Sequence, residues 1–467
     1  MQRRSLLAAT GAALALPAIS PAPISRAWAA GSSKVLRYVP AADIAALDPV
    51  WTTASQTRDH AFLVYDTLYG LDGSLQPQPQ MVAGHVVEDE GRLWRMTLRD
   101  GLRFHDGEKV LARDCVASIR RWAARDSFGQ TLMAVTEEVA APDDRTITFR
   151  LKRPFPQLPA ALAKYSSPTC VIMPERLAKT DPYKPVPEMV GSGPYRFLAD
   201  EFVSGAHAAY ARFDGYRPRD EAPVLNAGGK RAYFERIEWK IIPDSSTAAS
   251  ALQSGEVDWW EFADADLVPM LARDRAIRVQ SYDPLGFMGF LRFNSHVPPF
   301  DNAALKRVVL AAVQQADYMA LVTGGDDKAW NTAYSMFPPG LPFVKPVGTD
   351  VMGAPKDFAK LRQAVKDAGY AGEKVVILSP SDIPSLAPFG DVTAEMLRRL
   401  GMNVDLQVMD WGSVVQRRTS REPVEKGGWS LFHTTWKSGS IANPALNTNI
   451  RAVSYTHLRA HETEADL

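Results

Sequence analysis

Two adjacent residues, His105 and Asp106, are of the types that carry general acid and base chemistry. An imidazole that transfers protons also needs a further group to orient its ring. Adjacent residues of a turn point apart, and Asp-Gly after His105 is typical of a tight turn. No third member of a catalytic set is evident in the sequence, so we expect a structural role for this pair.

Two other patterns suggest chemistry. Glu256 and Asp258 would share one face of a strand, as a pair of acid/base carboxylates does. His457 and His461 lie four residues apart beside Glu462, which resembles a metal-binding helix. We give the second pattern no weight, because residues 453–467 resemble a translated sequencing-library adapter and are expected to be non-native.

The remaining histidines stand at positions 60, 85, 105, 207, 296 and 433, a scatter that does not suggest nickel or zinc. We expect no metal and no cofactor.

The elements around His105 are well marked. Trp94, Met96 and Leu98 alternate with polar residues, and Asp-Gly pairs follow at 100–101 and 106–107. Apolar residues then recur at helical spacing at Cys115, Val116, Ile119, Trp122 and Ala123. The pattern predicts strand, turn, strand, turn and helix over residues 94–122.

This stretch, with LRDGLRFHDG at 98–107 and the helix from Ala112, closely resembles the signature of the family 5 solute-binding proteins of ABC importers. GSGPYRF at 191–197 and ALQSGEVD at 251–258 resemble two further family motifs. The resemblance implies an α/β, two-lobed periplasmic binding protein fold of type II, with the extra domain of the peptide-binding class. It also implies that Glu256 and Asp258 are structural.

The first residues predict export. Arg3 and Arg4 precede an apolar run from Leu6 to about Ile19, and Ala27-Trp28-Ala29 offers a cleavage site. We expect residues 1–29 to be a twin-arginine-type signal peptide. No cysteine stands at the cleavage point, and no other run approaches about 18 apolar residues. The expected product is a soluble periplasmic protein without lipid anchor or membrane insertion.

Charge and cysteine content agree with a freely diffusing protein. The chain has 53 basic and 53 acidic side chains, and without residues 1–29 it loses three arginines and keeps 50 basic against 53 acidic ones. A balance this close to neutral gives no electrostatic footprint for nucleic acid. Cys115 and Cys170 are expected to be buried free thiols, although a disulfide between them remains open, since sequence does not give their separation.

The family resemblance divides the chain into segments. We predict lobe I over residues 30–74 and 183–285, an extra domain II over 75–182 and lobe III over 286–452, with the C-terminal return to lobe I missing. Within lobe III the sequence predicts strands at 290–294, 374–378, 404–409 and 429–436, and helices at 302–323, 358–368, 392–400 and 411–419. Such alternation indicates βαβ units and a parallel sheet, with ligands at the carboxyl ends of its strands.

The candidate ligand-binding residues come from three segments that the family fold brings to one cleft. They are Trp51, Thr52, Thr53, Phe287, Trp411, Trp436, Lys437 and Asn443. In peptide-binding relatives an aspartate of the last loop pairs with the ligand's α-ammonium. Residues 436–444 contain no carboxylate, and Lys437 has the opposite charge. A short peptide is the expected ligand, with an anionic, amide-like or glycosidic solute as alternatives.

The sequence thus predicts a monomeric, non-enzymatic solute-binding protein that closes over its ligand and delivers it to an ABC permease and ATPase complex. A secreted hydrolase is one alternative, but the chain lacks Gly-x-Ser-x-Gly, His-Glu-x-x-His and Cys-x-x-Cys motifs. A periplasmic chaperone or receptor with the same binding fold is another. Both uses of a binder need the same closing cleft, so the sequence does not separate them.

Overall fold

The computed structural model describes residues 34–283, 285–332, 334–339, 344–345, 349–383, 385–418, 420–442 and 444. The predicted signal peptide at 1–29, the predicted tail at 453–467 and the candidate residue Asn443 lie outside the described residues. Those three predictions therefore stay predictions.

The strands of the described chain are β1 Val35–Val39, β2 Asp66–Thr67, β3 Tyr69–Leu71, β4 Pro77–Pro79, β5 Val82–Glu88, β6 Leu93–Leu98, β7 Thr136–Ala140, β8 Thr146–Leu151, β9 Val171–Ile172, β10 Tyr195–Phe197, β11 His207–Arg212, β12 Arg236–Lys240, β13 Trp259–Trp260, β14 Phe287–Phe293, β15 Lys374–Pro380, β16 Asn403–Met409 and β17 Leu431–Lys437.

The helices are α1 Ser55–Val64, α2 Ala112–Arg125, α3 Ser127–Val135, α4 Leu158–Leu162, α5 Glu175–Ala178, α6 Ser245–Ser254, α7 Val268–Leu271, α8 Ala303–Ala312, α9 Gln315–Val322, α10 Asp350–Gly353, α11 Phe358–Asp367, α12 Ala387–Arg399 and α13 Trp411–Arg417. Among the described residues, no helix combines the length and the apolar character that a membrane crossing would need.

The first sheet has the strand order β10-β11-β12-β1-β13, with β1 parallel to both of its neighbours. β10, β11 and β12 pair antiparallel. Aromatic rings fill the core on this sheet, where Tyr210 and Trp239 pack at a centroid distance of 5.5 Å. The GSGPYRF motif leads into β10. Its Gly191 is required for close approach, because a Cβ there would lie 2.0 Å from the Val64 carbonyl oxygen.

The second sheet is antiparallel, in the order β5-β6-β8-β7, and contains the predicted strand at 94–98 as β6. The alternation of β6 buries Trp94, Met96 and Leu98 and leaves Arg95 exposed. α2 contributes its apolar face to the same core, including Cys115, which is a free thiol, as is the equally buried Cys170.

The third sheet has the order β14-β17-β15-β16. β15 runs parallel to β16 and β17, as the strand-helix alternation predicts. β14 instead pairs antiparallel with β17 along the whole of both strands. The prediction of an all-parallel sheet was therefore wrong for this strand, because β14 enters the sheet at the point where β17 leaves it.

Two further predictions were wrong in detail. The expected second strand after Gly101 is reduced to an isolated bridge between Arg103 and Lys109. The helix predicted over 302–323 is two helices, α8 and α9, because Val313 and Gln314 have extended backbone angles. The break lets α9 take its own direction, so that Tyr318 bonds to Thr393 of α12.

The predicted segments each contain one of the larger sheets, but short pairs link the first two segments. β2 pairs with β9, and β3 pairs with β4. The domain bounds themselves therefore stay a prediction.

Candidate functional site

A two-stranded arm leads into and out of the third sheet. β15 last pairs with β17 at Phe432, whereas β14 stays paired with β17 as far as Lys437. The end of β17 therefore has β14 as its partner, with Phe287 opposite Lys437 and Met288 opposite Trp436. The Ser438 amide extends this arm by donating to the Gly286 carbonyl, at 2.9 Å.

The arm brings three of the candidate residues together. Phe287 and Lys437 are cross-strand neighbours, and Trp436 precedes Lys437 on the same strand. Phe287 is 49% exposed, while Trp436 and Lys437 are half-buried. An aromatic ring and an ammonium group at a partly open position can contact a solute.

Trp411 lies at the carboxyl edge of the same sheet, on the far side of β15. It begins α13 directly after β16, and Asp410 caps this helix by accepting from the Ser413 amide. The Trp411 amide donates to Asp382, which follows β15, at 2.7 Å. Its half-buried ring packs against the apolar cluster around Val414. Trp411 therefore combines a place at the edge with a packing role.

Trp51, Thr52 and Thr53 belong to a different segment, which α2 holds in place. Arg125 at the end of α2 donates to the Trp51 carbonyl at 3.0 Å. One turn earlier, Arg121 forms a buried ion pair with Asp48 at 2.8 Å. Asp48 in turn accepts from the Val50 amide at 2.9 Å. These bonds fix the loop before α1 and leave Trp51 39% exposed.

Thr52 and Thr53 are both half-buried, and the Thr52 hydroxyl accepts from the Ala54 amide at 3.3 Å. None of the hydrogen bonds recorded for the described residues joins this loop to Phe287, Trp436 or Lys437. The structure thus brings the candidates together as two groups, the loop held by α2 and the arm, with Trp411 at the sheet edge.

Tyr165, in the loop between α4 and β9, approaches the turn that follows the arm. The preceding Lys164 is buried and donates to the Asp126 carboxylate and to the Pro168 carbonyl. A Cβ placed on Gly439, in the turn after β17, would lie 2.3 Å from the Tyr165 hydroxyl oxygen. The Tyr165 ring thus meets the backbone of that turn, which only glycine permits. No sequence signal marked Tyr165, since it lies in a loop without a motif.

The turn after β17, Ser438–Ile441, is hereafter the exit turn. All four of its residues are buried. The Ser440 hydroxyl donates to the Lys437 carbonyl at 2.6 Å and fixes the turn. The Ser438 hydroxyl has no hydrogen-bond partner among the described residues.

Burial, a cation and an anion all affect the pKa of the Tyr165 hydroxyl. Burial raises the pKa of the Tyr165 hydroxyl above its ordinary value, the Arg58 guanidinium lowers it, and the Asp283 carboxylate raises it. The hydroxyl therefore stays protonated at neutral pH and can donate a hydrogen bond. Arg58 is itself buried and paired with Asp59 at 2.9 Å.

The comparisons with known proteins give the family. The model of bacterial extracellular solute-binding proteins, family 5 (middle part), matches residues 76–452. The chain belongs to this family. A probable peptide ABC transporter periplasmic-binding protein, y4tO of Sinorhizobium fredii, is 37% identical over 437 residues, covering 93% of this chain and 81% of that protein. The glutathione-binding protein GsiB of Salmonella typhi is 24% identical, over 84% of this chain and 73% of its own length.

Solved structures agree with this solute-binding fold. DppA from Helicobacter pylori, in complex with the peptide STSA, superimposes with a TM-score of 0.72 at 22% identity, covering 91% of this chain and 83% of that one. AgaA from A. tumefaciens R10, in complex with agropinic acid, gives a TM-score of 0.72 at 19% identity, covering 87% and 77%. The chain has the two-lobed α/β fold of periplasmic binding proteins, as predicted.

In this solute-binding protein, the residues whose types suggested acid/base chemistry form structural contacts. The His105 amide donates to the Gly191 carbonyl, and the His105 ring nitrogen Nε2 donates to the Gly193 carbonyl at 3.0 Å. The other ring nitrogen accepts from the Gly191 amide. Burial lowers the pKa of His105 to about 4, so the ring is neutral. Asp106 pairs with Arg176. His105 thus joins two family motifs, and Asp106 joins the first of them to α5.

Glu256 and Asp258 also contact different partners. Glu256 faces Lys240 at 3.8 Å, and Asp258 accepts from the Arg37 amide at 2.8 Å. Among the described residues no group of three or more histidine, cysteine or acidic side chains could hold a metal ion.

Proposed function

We propose that this protein is the periplasmic substrate-binding component of an ABC importer, and that it captures a short peptide or peptide-like solute between its lobes. The named function of the 37% identical relative supports the peptide class and the transport role. It also favours transport over the alternatives of a secreted hydrolase, a chaperone or a receptor. The partners of this function are an ABC permease and ATPase complex.

The observation that carries the mechanism is the two-stranded arm. The chain enters and leaves the third sheet side by side, at β14 and at the end of β17. Paired segments that cross together between two lobes can act as a hinge, because few bonds need to change when they bend. A ligand that contacts both lobes in the closed form alone shifts the population toward that form.

The proposed ligand-binding residues are Trp51, Thr52, Thr53, Phe287, Trp411, Trp436, Lys437 and Asn443. The exposure of Trp51 and Phe287 and the pairing of Phe287 with Lys437 support their role as pocket walls. Micromolar capture requires about −8 kcal/mol, which a pocket with a few aromatic walls and placed polar groups supplies.

Export, monomeric state and lack of catalysis complete the proposal. The pattern of residues 1–29 supports cleavage of a twin-arginine-type signal and release into the periplasm. The structural contacts of His105, Asp106, Glu256 and Asp258 support a binding protein rather than an enzyme.

Native mass spectrometry of the protein with an equimolar pool of di- and tripeptides tests the function. We expect one peptide bound per chain, released unchanged on denaturation. A Trp436→Ala variant should lose the adduct, whereas Tyr233→Ala, which truncates a residue 78% exposed on the surface, should keep it. Conversion of the peptides without a persistent adduct would refute the proposal in favour of a hydrolase.

A further inference from the structure

Two hydroxyl groups without a hydrogen bond to a described residue belong to the segments that meet at Gly439, the exit turn and the Tyr165 loop. The Ser438 hydroxyl is fully buried and has no hydrogen-bond partner among the described residues. The Tyr165 hydroxyl likewise forms no recorded hydrogen bond with a described residue. Buried hydroxyls are normally bonded, so the Ser438 hydroxyl calls for an explanation, and the Tyr165 hydroxyl belongs to a half-buried residue.

The geometry of Gly439 places the Tyr165 hydroxyl against the exit turn. A Cβ on Gly439 would lie 2.3 Å from the Tyr165 hydroxyl oxygen and 3.3 Å from the ring carbon that carries it. The Tyr165 hydroxyl therefore lies against the backbone of the residue next to Ser438. One hydroxyl comes from the loop between α4 and β9, and the other comes from the end of the arm.

Both hydroxyls lie on segments that hydrogen bonds hold in place. Lys164 anchors the Tyr165 loop through its bonds to Asp126 and Pro168. The Ser438 amide is bonded to Gly286, and the Ser440 hydroxyl closes the exit turn. Groups held in place before a ligand arrives lose little freedom on binding, which favours affinity.

The surroundings favour a ligand group that accepts hydrogen bonds. The Tyr165 hydroxyl is held protonated by burial, and a serine hydroxyl can also donate. Lys437 adds a cation directly before Ser438, and no carboxylate occurs in β17 or the exit turn. The Asp283 carboxylate acts on Tyr165 from the linker before β14, but its oxygen Oδ1 already accepts from the Leu285 amide at 3.0 Å.

We propose that Tyr165 and Ser438 form a two-hydroxyl site that binds a carboxylate of the solute, with one hydroxyl from each side of the cleft. This inference rests on the proposed function and specifies it, because it assigns the acidic end of a peptide-like ligand to the exit turn. A carboxylate accepts several hydrogen bonds at once and thereby links the two sides. The site would then contribute to closure as well as to affinity.

The test uses an equimolar pool of di- and tripeptides, each as the free acid and as the C-terminal amide. Native mass spectrometry of the unaltered protein should show retention of the acid over its amide by about tenfold, as expected for hydrogen bonds to a charged group. Titration calorimetry with the retained acid should then show about tenfold weaker binding for Tyr165→Phe and for Ser438→Ala. Binding of the amide should change little in either variant.

Two controls match these substitutions. Tyr183→Phe removes a hydroxyl that lies 3.5 Å from the Ala124 carbonyl, and Ser250→Ala removes an exposed hydroxyl within α6. Both should bind the acid normally. Thermal melting of all four ligand-free variants establishes that they are folded.

The outcomes separate the two proposals. If the unaltered protein retains no peptide, the proposed function fails and the carboxylate site fails with it. If it retains acid and amide equally, or if Tyr165→Phe and Ser438→Ala bind the acid like the controls, the two-hydroxyl site is refuted while the function stands.

Discussion

The two best-defined polar regions of this molecule differ in how completely their groups are paired. Around His105 the backbone amide and both ring nitrogens are hydrogen-bonded, and Asp106 has an ionic partner. In the exit turn the Ser438 hydroxyl is buried without a partner among the described residues. Satisfied buried groups stabilise a fold, whereas an unsatisfied one can form a hydrogen bond with a ligand that reaches it. The most recognisable motif is thus a structural feature, and the candidate binding chemistry lies where the sequence is least distinctive.

The largest expected effect concerns the buried ion pair that fixes the Trp51 loop. Asp48→Ala leaves the Arg121 guanidinium buried without its carboxylate, and both side chains are almost fully inaccessible. Removing one partner of such a pair costs about 3 to 5 kcal/mol in the free energy of unfolding. Urea unfolding followed by tryptophan fluorescence measures it. Arg113→Ala, which breaks an exposed pair with Glu175, should cost less than about 1 kcal/mol. If Asp48→Ala and Arg113→Ala lowered the free energy of unfolding equally, α2 would not hold this loop.

The next effect is the dependence of stability on pH. Burial lowers the pKa of His105 from 6.5 to about 4, and burial lowers those of His60 and His433 to about 3. The unfolded chain therefore binds more protons than the folded chain between these values. The stabilisation is fully present above about pH 6.5 and is lost as the pH falls toward 4 for His105 and toward 3 for His60 and His433. For His105 alone the loss reaches about 3 kcal/mol.

His105→Gln tests this contribution, because a glutamine side chain can donate and accept but does not titrate in this range. The difference in unfolding free energy between pH 7 and pH 4 should become smaller in the variant than in the unaltered protein. An unchanged difference would mean that His105 is not a neutral, buried link between the two motifs.

A third prediction concerns the contact between the two sides of the cleft. Gly439→Ala places a Cβ about 2.3 Å from the Tyr165 hydroxyl oxygen, so the exit turn and Tyr165 must separate. We expect ligand affinity to fall by about tenfold or more, with little change in thermal melting of the ligand-free protein. In a Tyr165→Phe background the nearest atom is the ring carbon at 3.3 Å, and Gly439→Ala should have a much smaller effect there. Additive effects in this double-mutant cycle would exclude the contact.

The sequence predicted those parts of the fold that local patterns determine. α6 begins after Asp244, which caps it, and ends at Gly255 with a positive φ of 76°, and both residue types are typical of these helix ends. The break at Val313 was missed because apolar spacing continues through it, and tertiary packing on two clusters decides the chain direction.

Tyr165 could not be found in the same way. Its position depends on the buried bond between Lys164 and Asp126, two residues 38 positions apart in the sequence. Trp436, Lys437 and Asn443, on either side of the exit turn, were candidates because the family fold brings their segment to the cleft and because the carboxyl ends of parallel strands collect ligands. Strand periodicity predicts such an edge, but it does not predict which side chain of a distant loop will face it.

The smallest expected effect belongs to Glu256 and Asp258, whose spacing suggested acid/base chemistry. Each faces a different cation, Lys240 at 3.8 Å and Arg37 at 3.9 Å, and all of these groups are at least partly exposed. Partly exposed pairs contribute about 1 kcal/mol or less. The double variant Glu256→Gln with Asp258→Asn should therefore unfold at nearly the same urea concentration and bind the retained peptide unchanged, as titration calorimetry measures. A tenfold loss of binding would place these carboxylates in the site and reverse the contrast between paired, structural groups and unpaired, ligand-binding ones.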